Sequence, residues 1–229
     1  MPDAPRASVL FRWPTAAKFG HAVPKTKFYE HANVRVAMRE KFIRHVQRIT
    51  WAYKLAEDTI RLRGTPAVPE IQVFTVEAKG ADVPDDVLTV IDRSVHFPII
   101  FEIASDNRVR TVAAQKALHG KTPTVGAYLT TSWLFADSVR RPLPTALDLP
   151  SLHEAILSSL LPVNTRAGET VSQATDRLDR ARKLQGQIAG LERKLRAEPQ
   201  LNRKIELRRQ IKERAAALTE LTDPIPSKE

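Results

Sequence analysis

The chain has 229 residues, 42% apolar, 27% charged and 6% aromatic, with 16 Pro, 8 Gly and no Cys. That length supports one sizeable core with an appendage, and the lack of Cys excludes a disulfide scaffold, a Cys-ligated zinc site and a Cys nucleophile. The formal charge of +10 is densest in residues 1–80, where 14 basic side chains meet 7 acidic ones, a balance that favours encounter with polyanions and that salt would weaken.

Residues 1–32 carry Pro2, Pro5, Pro14 and Pro24 among short apolar pieces, which predicts loops with one short strand, Ser8 to Arg12. Met38, Phe42, Val46, Ile49 and Tyr53 recur at helical spacing, which predicts a helix from an Asn33 cap to about Arg63, ended by Gly64, Pro66 and Pro69. Ile71 to Lys79 (IQVFTVEAK) is β-rich and apolar on both faces, as expected of an interior strand. Val83 to Val95 reads as a helix with Pro84 in its first turn and Val87, Leu88 and Ile91 inward. Three strands follow, Pro98 to Ala104, Arg108 to Gln115 and Val125 to Trp133, the first two joined by Ser105-Asp106-Asn107. Leu149 to Leu161 reads as a helix capped by Asp148, with a Ser151/Glu154 capping box and a stop at Pro162. These elements predict an α+β domain over residues 1–162.

A polar linker, 163–168, leads to a different composition. Leu184, Ile188, Leu191 and Leu195 are spaced as a narrow helical stripe, Pro199 interrupts it, and Leu201, Ile205, Ile211 and Leu218 resume it. The expectation is a coiled-coil-like antiparallel helical hairpin over 169–222, followed by a tail, 223–229. Narrow stripes are stable only when packed together or on a partner, which makes Leu184, Ile188, Leu191, Leu195, Ile205, Ile211 and Leu218 the candidate docking residues. Gly186 and Gly190 point to a close helix approach or to a weak spot in the first helix.

Two constellations carry possible chemistry. Glu77-Ala78-Lys79 at a strand end puts both charged groups on one face, as the Glu-x-Lys element of a Mg²⁺-dependent restriction-type nuclease requires. Such a site needs a further acid, for which Glu102 on a neighbouring strand is the available candidate. The second constellation is cationic with interleaved aromatics: Lys25, Lys27, Arg35, Arg39, Lys41, Arg44, Arg48 and Lys54, beside Phe28, Tyr29, Trp51 and Tyr53. Helical spacing would place Lys41, Arg44 and Arg48 in one sector for phosphate contacts. Further cations, Arg193, Lys194, Arg196, Arg203, Lys204, Arg208 and Arg209, gather near the expected hairpin tip. The six His show neither metal-ligand spacing nor a triad, and no Gly-rich phosphate loop occurs.

The strings PKTKFYEH (24–31), ITWAYKLAEDTI (49–60), EIQVFTVE (70–77), VLTVIDRSVHFPIIFEI (87–103), RRPLPTALDL (140–149) and LNRKIEL (201–207) resemble, in this order, the bacterial and archaeal domain-of-unknown-function family numbered 4391. The resemblance covers nearly the whole chain and implies a prokaryotic protein associated with helicase and DNA-methyltransferase genes in restriction-like or phage-defence clusters. It carries no active site with it.

Three functions remain open at this level. One is a non-enzymatic accessory or scaffold subunit of a DNA-modification or phage-defence system. It would use a basic nucleic-acid-facing surface, and a hairpin docking on a helicase, a methyltransferase or a second copy. The second is a Mg²⁺-dependent nuclease using Glu77 and Lys79, the only reading that calls for a cofactor. The third is a purely structural assembly protein without nucleic-acid binding. No run of about 18 apolar residues occurs, and MPDAPRASVLFRWP has no apolar stretch after its start, so a cytoplasmic protein without a membrane partner is expected.

Overall fold

Two stretches rich in β-branched and aromatic residues, Val46–Ala56 and Glu70–Ala78, pair antiparallel along most of their length and form two interior strands of a sheet. In a computed structural model of the chain, residues 9–31, 34–117, 123–161, 166 and 168–222 are described, and they divide into two units, Met1–Val163 and Asn164–Glu229. Among the described residues no helix is long and apolar enough to cross a membrane.

The first unit contains a seven-stranded mixed sheet. Its strands are β1 (Lys18–Ala22), β2 (Val46–Ala56), β3 (Glu70–Ala78), β4 (Ile99–Ser105), β5 (Arg108–Ala117), β6 (Thr124–Thr130) and β7 (Leu134–Phe135). The spatial order is β1-β2-β3-β4-β5-β6, with β7 also on β5. Only β3 and β4 are parallel, and the connection between them carries the helix α4 (Asp85–Ser94); every other pair is antiparallel. Among the described residues the remaining α-helices of this unit are α1 (Lys25–His31), α2 (Val36–His45), the single turn α3 (Glu57–Ile60) and α5 (Leu149–Leu160).

Strand alternation sorts the apolar residues onto two faces. Val46, Ile49, Phe74, Val76, Phe101, Ile103 and Val112 form one core with Phe28 of α1, Phe42 of α2 and Val87, Leu88 and Ile91 of α4. The opposite face, including the fully buried Val73, Ile100 and Ala113, is covered by α5, which buries Leu152, Ile156, Leu157 and Leu160, and by the N-terminal segment with Leu10, Phe11 and Trp13. At about 1.5–3 kcal/mol for each fully buried aliphatic side chain, these two layers account for most of the drive to fold.

Several expectations are corrected. The helix expected to reach Arg63 ends at His45, because Val46 to Ala56 is β2. Register shifts between Val46 and Arg48 and between Trp51 and Tyr53 insert extra residues into β2. The first leaves Val46 and Ile49 on the same face three residues apart, the spacing of a helix produced by a bulged strand. The expected loops of 1–32 contain β1 and α1, and the strand expected from Ser8 reduces, in its described part, to a single bridge between Phe11 and Arg141. The strand expected to end at Trp133 stops at Thr130. Pro84 is the N-cap of α4 instead of a first-turn residue. The capping box of α5 is formed by Asp148 and Ser151 without Glu154. Asn33, Pro162 and the tail 223–229 lie outside the described residues.

In the second unit the described residues form two helices, α6 (Val171–Ala197) and α7 (Leu201–Thr222). Thr170 and Gln173 form a reciprocal capping box that satisfies orphan N–H groups at the start of α6. Glu169 accepts two hydrogen bonds from Arg177, at 2.7 and 2.9 Å, and the same guanidinium donates to the Leu221 carbonyl at 3.0 Å. Arg214 donates to Gln187 at 3.1 Å. No close helix approach explains the glycines: a Cβ at Gly186 would meet nothing within 4 Å, and one at Gly190 would meet only the Arg193 guanidinium at 4.0 Å. Each is a weak spot costing about 1 kcal/mol relative to Ala.

Candidate nucleic-acid interface

The cationic residues named from the sequence do not form one helical face. Arg48 belongs to β2, and strand pairing sets it opposite Glu77 on the sheet face away from Ile49. Lys54 sits near the far end of the same strand, 3.5 Å from Asp58 and 3.7 Å from Glu70, so acids already offset its charge. Lys41 is ion-paired with Asp86 at the start of α4. Arg39 donates to the Val34 carbonyl at 3.2 Å and lies over the Tyr29 ring, 5.6 Å from its centroid. Burial raises the Tyr29 hydroxyl pKa, and the Arg39 charge partly offsets that rise. Arg35 is the N-cap residue of α2, and Lys27 is exposed on α1.

A smaller set converges where β3 ends. Lys25, at the start of α1, donates from Nζ to the Val46 carbonyl at the first residue of β2. Its pKa is lowered by partial burial and then by the charge of Lys79. Lys79 follows β3 directly, and its backbone N–H donates to the His45 carbonyl at 2.9 Å, which ties the strand end to the end of α2. A pocket of about 510 Å³ opens here, lined by Arg44, His45, Lys79, Gly80, Asp82, Asp85 and Arg110. Ligand crevices of sheets with parallel strands lie outside the carboxyl ends of those strands, and this pocket occupies that position beside β3 and its crossover loop.

Arg110 is the best-anchored cation of the group, 8% exposed. It donates twice to Asp82 Oδ1, at 3.0 and 2.8 Å, and once to Thr130 Oγ1 at 2.9 Å. Its guanidinium also lies 5.5 Å from the Trp133 ring centroid, as does that of Arg108. Arg110 therefore shapes the wall, with its charge shared with Asp82, while Arg44 and Lys79 are exposed. Lys79 and Arg110 were outside the basic set read from the sequence. From the sequence Lys79 stands out only as the lysine of the Glu-x-Lys element and Arg110 only as a residue within a strand, and folding alone brings them to the same pocket as Arg44.

The three residues of the nuclease reading are distributed differently. Glu77 is half-buried near the end of β3, and Lys79 is exposed beyond it. Glu102 does lie on the neighbouring strand, opposite Thr75, while Glu77 faces Ala104. Glu102 is 6% exposed, and its carboxylate accepts from Trp13 Nε1 at 2.8 Å and from Arg140 at 2.6 and 3.3 Å. Those bonds fasten the N-terminal segment and the 140s loop to the sheet. Among the described residues no group of three or more His, Asp or Glu is placed to hold a metal ion.

A buried ionic cluster lies between β5 and α4. Lys116 Nζ donates to the carbonyls of Asp92, Val95 and Phe97, at 2.8, 3.0 and 2.6 Å, and lies 2.5 Å from Asp92 Oδ1. Tyr128 donates to the other Asp92 oxygen at 3.1 Å. Burial raises the Asp92 pKa and lowers that of Lys116, and their mutual attraction opposes both shifts. His153, on α5, is pushed down to about 4 by burial and then by the Lys116 charge. With side chains this enclosed, the cluster pins α4 to the sheet and offers no surface to a substrate.

The docking residues of the second unit are only half covered. Leu184, Ile188, Leu191, Leu195, Ile211 and Leu218 are partly buried, and Ile205 is 56% exposed. No residue of α7 is fully buried.

No curated protein and no solved structure matches this chain. Residues 11–218 match the family model of DUF4391, a domain of unknown function, a span that takes in the seven strands, α6 and most of α7, and the chain belongs to the DUF4391 family.

Proposed function

We propose that this protein is a non-enzymatic accessory subunit of a DNA-modification or phage-defence system, binding nucleic acid through its sheet unit and a protein partner through its helices. The observation that carries the reading is the convergence of Arg44 and Lys79 on one pocket at the end of β3, with Lys25 close enough to feel the charge of Lys79. Like charges held together raise the energy of the free surface, and a phosphate between them lowers it. The engagement of Glu102 by Trp13 and Arg140 favours this reading over a metal-dependent nuclease, which would need that carboxylate for its ion.

The helical unit supports the partner half of the proposal. Hydrogen bonds join Arg177 to Leu221 and Gln187 to Arg214, the pairing of residues expected of an antiparallel hairpin. A pair of helices covers only one flank of each apolar stripe, which leaves Leu201 and Ile205, 69% and 56% exposed, for a helicase or methyltransferase subunit or a second copy.

The test is binding of the full chain to labelled DNA across a salt series. Arg44→Glu with Lys79→Glu is expected to lower affinity by about tenfold or more and to flatten the dependence of log K on log salt by about two phosphate contacts. An unchanged salt slope would remove this pocket as the nucleic-acid surface. Probe cleavage that requires Mg²⁺ and is lost in Glu77→Ala would replace the accessory reading with the nuclease.

A further inference from the structure

The sheet ends in an edge strand whose five residues, Lys18–Ala22, are all exposed. Among the described residues no strand pairs with its outer side. Phe19 is 40% exposed, and its ring is 4.1 Å from that of Trp51 and 4.2 Å, edge-on, from that of His21. The Trp51 indole is fixed by a hydrogen bond from Nε1 to the Tyr53 carbonyl at 3.0 Å and stacks on Phe74, with only 4° between the planes. Phe74, Phe101 and Tyr128 continue the row across the sheet at centroid spacings of 6.5 and 6.3 Å. The exposed ring at the edge thus rests on a rigid aromatic support that runs into the core.

An exposed aromatic on an exposed strand is a solubility liability unless something covers it. The flanking charge indicates what. Lys18 lies beside the aromatics, and five residues up β2 from Trp51, about 17 Å at strand rise, Val46 receives Lys25 at the cation cluster of Arg44 and Lys79. Cations tracking a groove with an aromatic face on which a base can stack are the two elements of single-strand recognition. A duplex hides its base faces and could use only the cations.

We infer that the β1 edge is a single-stranded nucleic-acid site, in which Phe19, backed by Trp51 and His21, stacks a base while the backbone runs toward the pocket of Arg44 and Lys79. This rests on the nucleic-acid reading above and narrows it to single strands.

The experiment measures binding of the full chain to a fluorescent thymidine oligonucleotide and to a duplex of the same length, for the unaltered protein, Phe19→Ala and Phe19→Trp, each first checked for an unchanged unfolding transition. Removing the stacking ring is expected to weaken single-strand binding about 5- to 100-fold with an unchanged salt slope, and duplex binding by less than about twofold. Phe19→Trp should restore the single-strand affinity, since it keeps an aromatic face. Equal losses on both probes, or no loss on either, would overturn the inference. If Phe19→Ala has no effect while Arg44→Glu with Lys79→Glu abolishes binding, the stacking site falls and the basic surface stands. If the unaltered protein binds neither probe, both fall, and an edge that instead binds an extended peptide would identify β1 as a strand-pairing surface.

Discussion

The sheet unit and the helical unit bury their apolar residues in different ways. In the first, fully enclosed residues such as Phe42, Ile49, Phe101, Ile103, Leu149 and Ile156 come from many elements, and a charged cluster is sealed inside with them. In the second, α7 has no fully buried residue and the stripe of α6 beyond Ala181 is only partly covered. A sheet faced on both sides can enclose side chains, whereas two helices present a line of contact with solvent on either side. The first unit therefore has the means to hold its shape by itself, and the second has apolar surface to give to an interface.

The largest expected effect is on the sealed cluster. Lys116→Met should destabilise the sheet unit by about 3–5 kcal/mol, because it leaves Asp92 buried without its counter-charge and three carbonyls without their donor. A shift of the urea midpoint within the range of ordinary surface substitutions would show that the pair is not structural.

His153 comes next. Its folded pKa of about 4 lies below the ordinary 6.5, so between those values the unfolded chain binds a proton that the folded chain refuses. The stability it contributes is complete above pH 6.5 and is lost as pH falls toward 4, by about 3 kcal/mol for a group this enclosed. The difference in unfolding free energy between the protein and His153→Leu, followed by denaturant titration over that window, should change by about this amount. A constant difference would mean that the ring is solvated or finds an acceptor.

The smallest effect on folding, and the sharpest contrast, is expected for Ile188→Asp with Leu191→Asp. Both positions are partly buried, so the unfolding midpoint of the sheet unit should hold while association with a partner or a second copy is lost. Sedimentation of the full chain, alone and with candidate partner subunits, reads this directly. Association that survives both charges would mean that the stripe is not the docking surface.

Much of the architecture was legible along the chain. β3, β4 and β5 announce themselves by β-branched runs and the turn at Ser105 to Asn107, α4 by its inward Val87, Leu88 and Ile91, and α5 by Asp148. Pro199 separates α6 from α7. Each of these signals is local: a turn, a cap, a break or a period. β2 was illegible for the same reason, because its bulges are made by pairing with β3 and give Val46 and Ile49 a helical spacing that no local rule separates from a helix. The candidate site was legible only in fragments. Lys25 and Arg44 stood out as cations near aromatics, but Arg48, Lys41 and Lys54 stood out equally, and only folding directs the last two toward Asp86, Asp58 and Glu70.

By itself the sequence determined the positive charge, the absence of cysteine chemistry, the change of composition after residue 168 and most helix and strand identities, since these depend on residue type and short spacing. Only the tertiary structure decided that Lys79 from the end of β3 and Arg110 from β5 flank Arg44 from α2, that Glu102 is enclosed by Trp13 and Arg140, and that Phe19 is left exposed on a supported edge. Those are contacts between residues far apart in the chain. They are set by which strands pair and which faces are covered, and that choice is made by the free energy of the whole sheet and its two layers, not by any one segment.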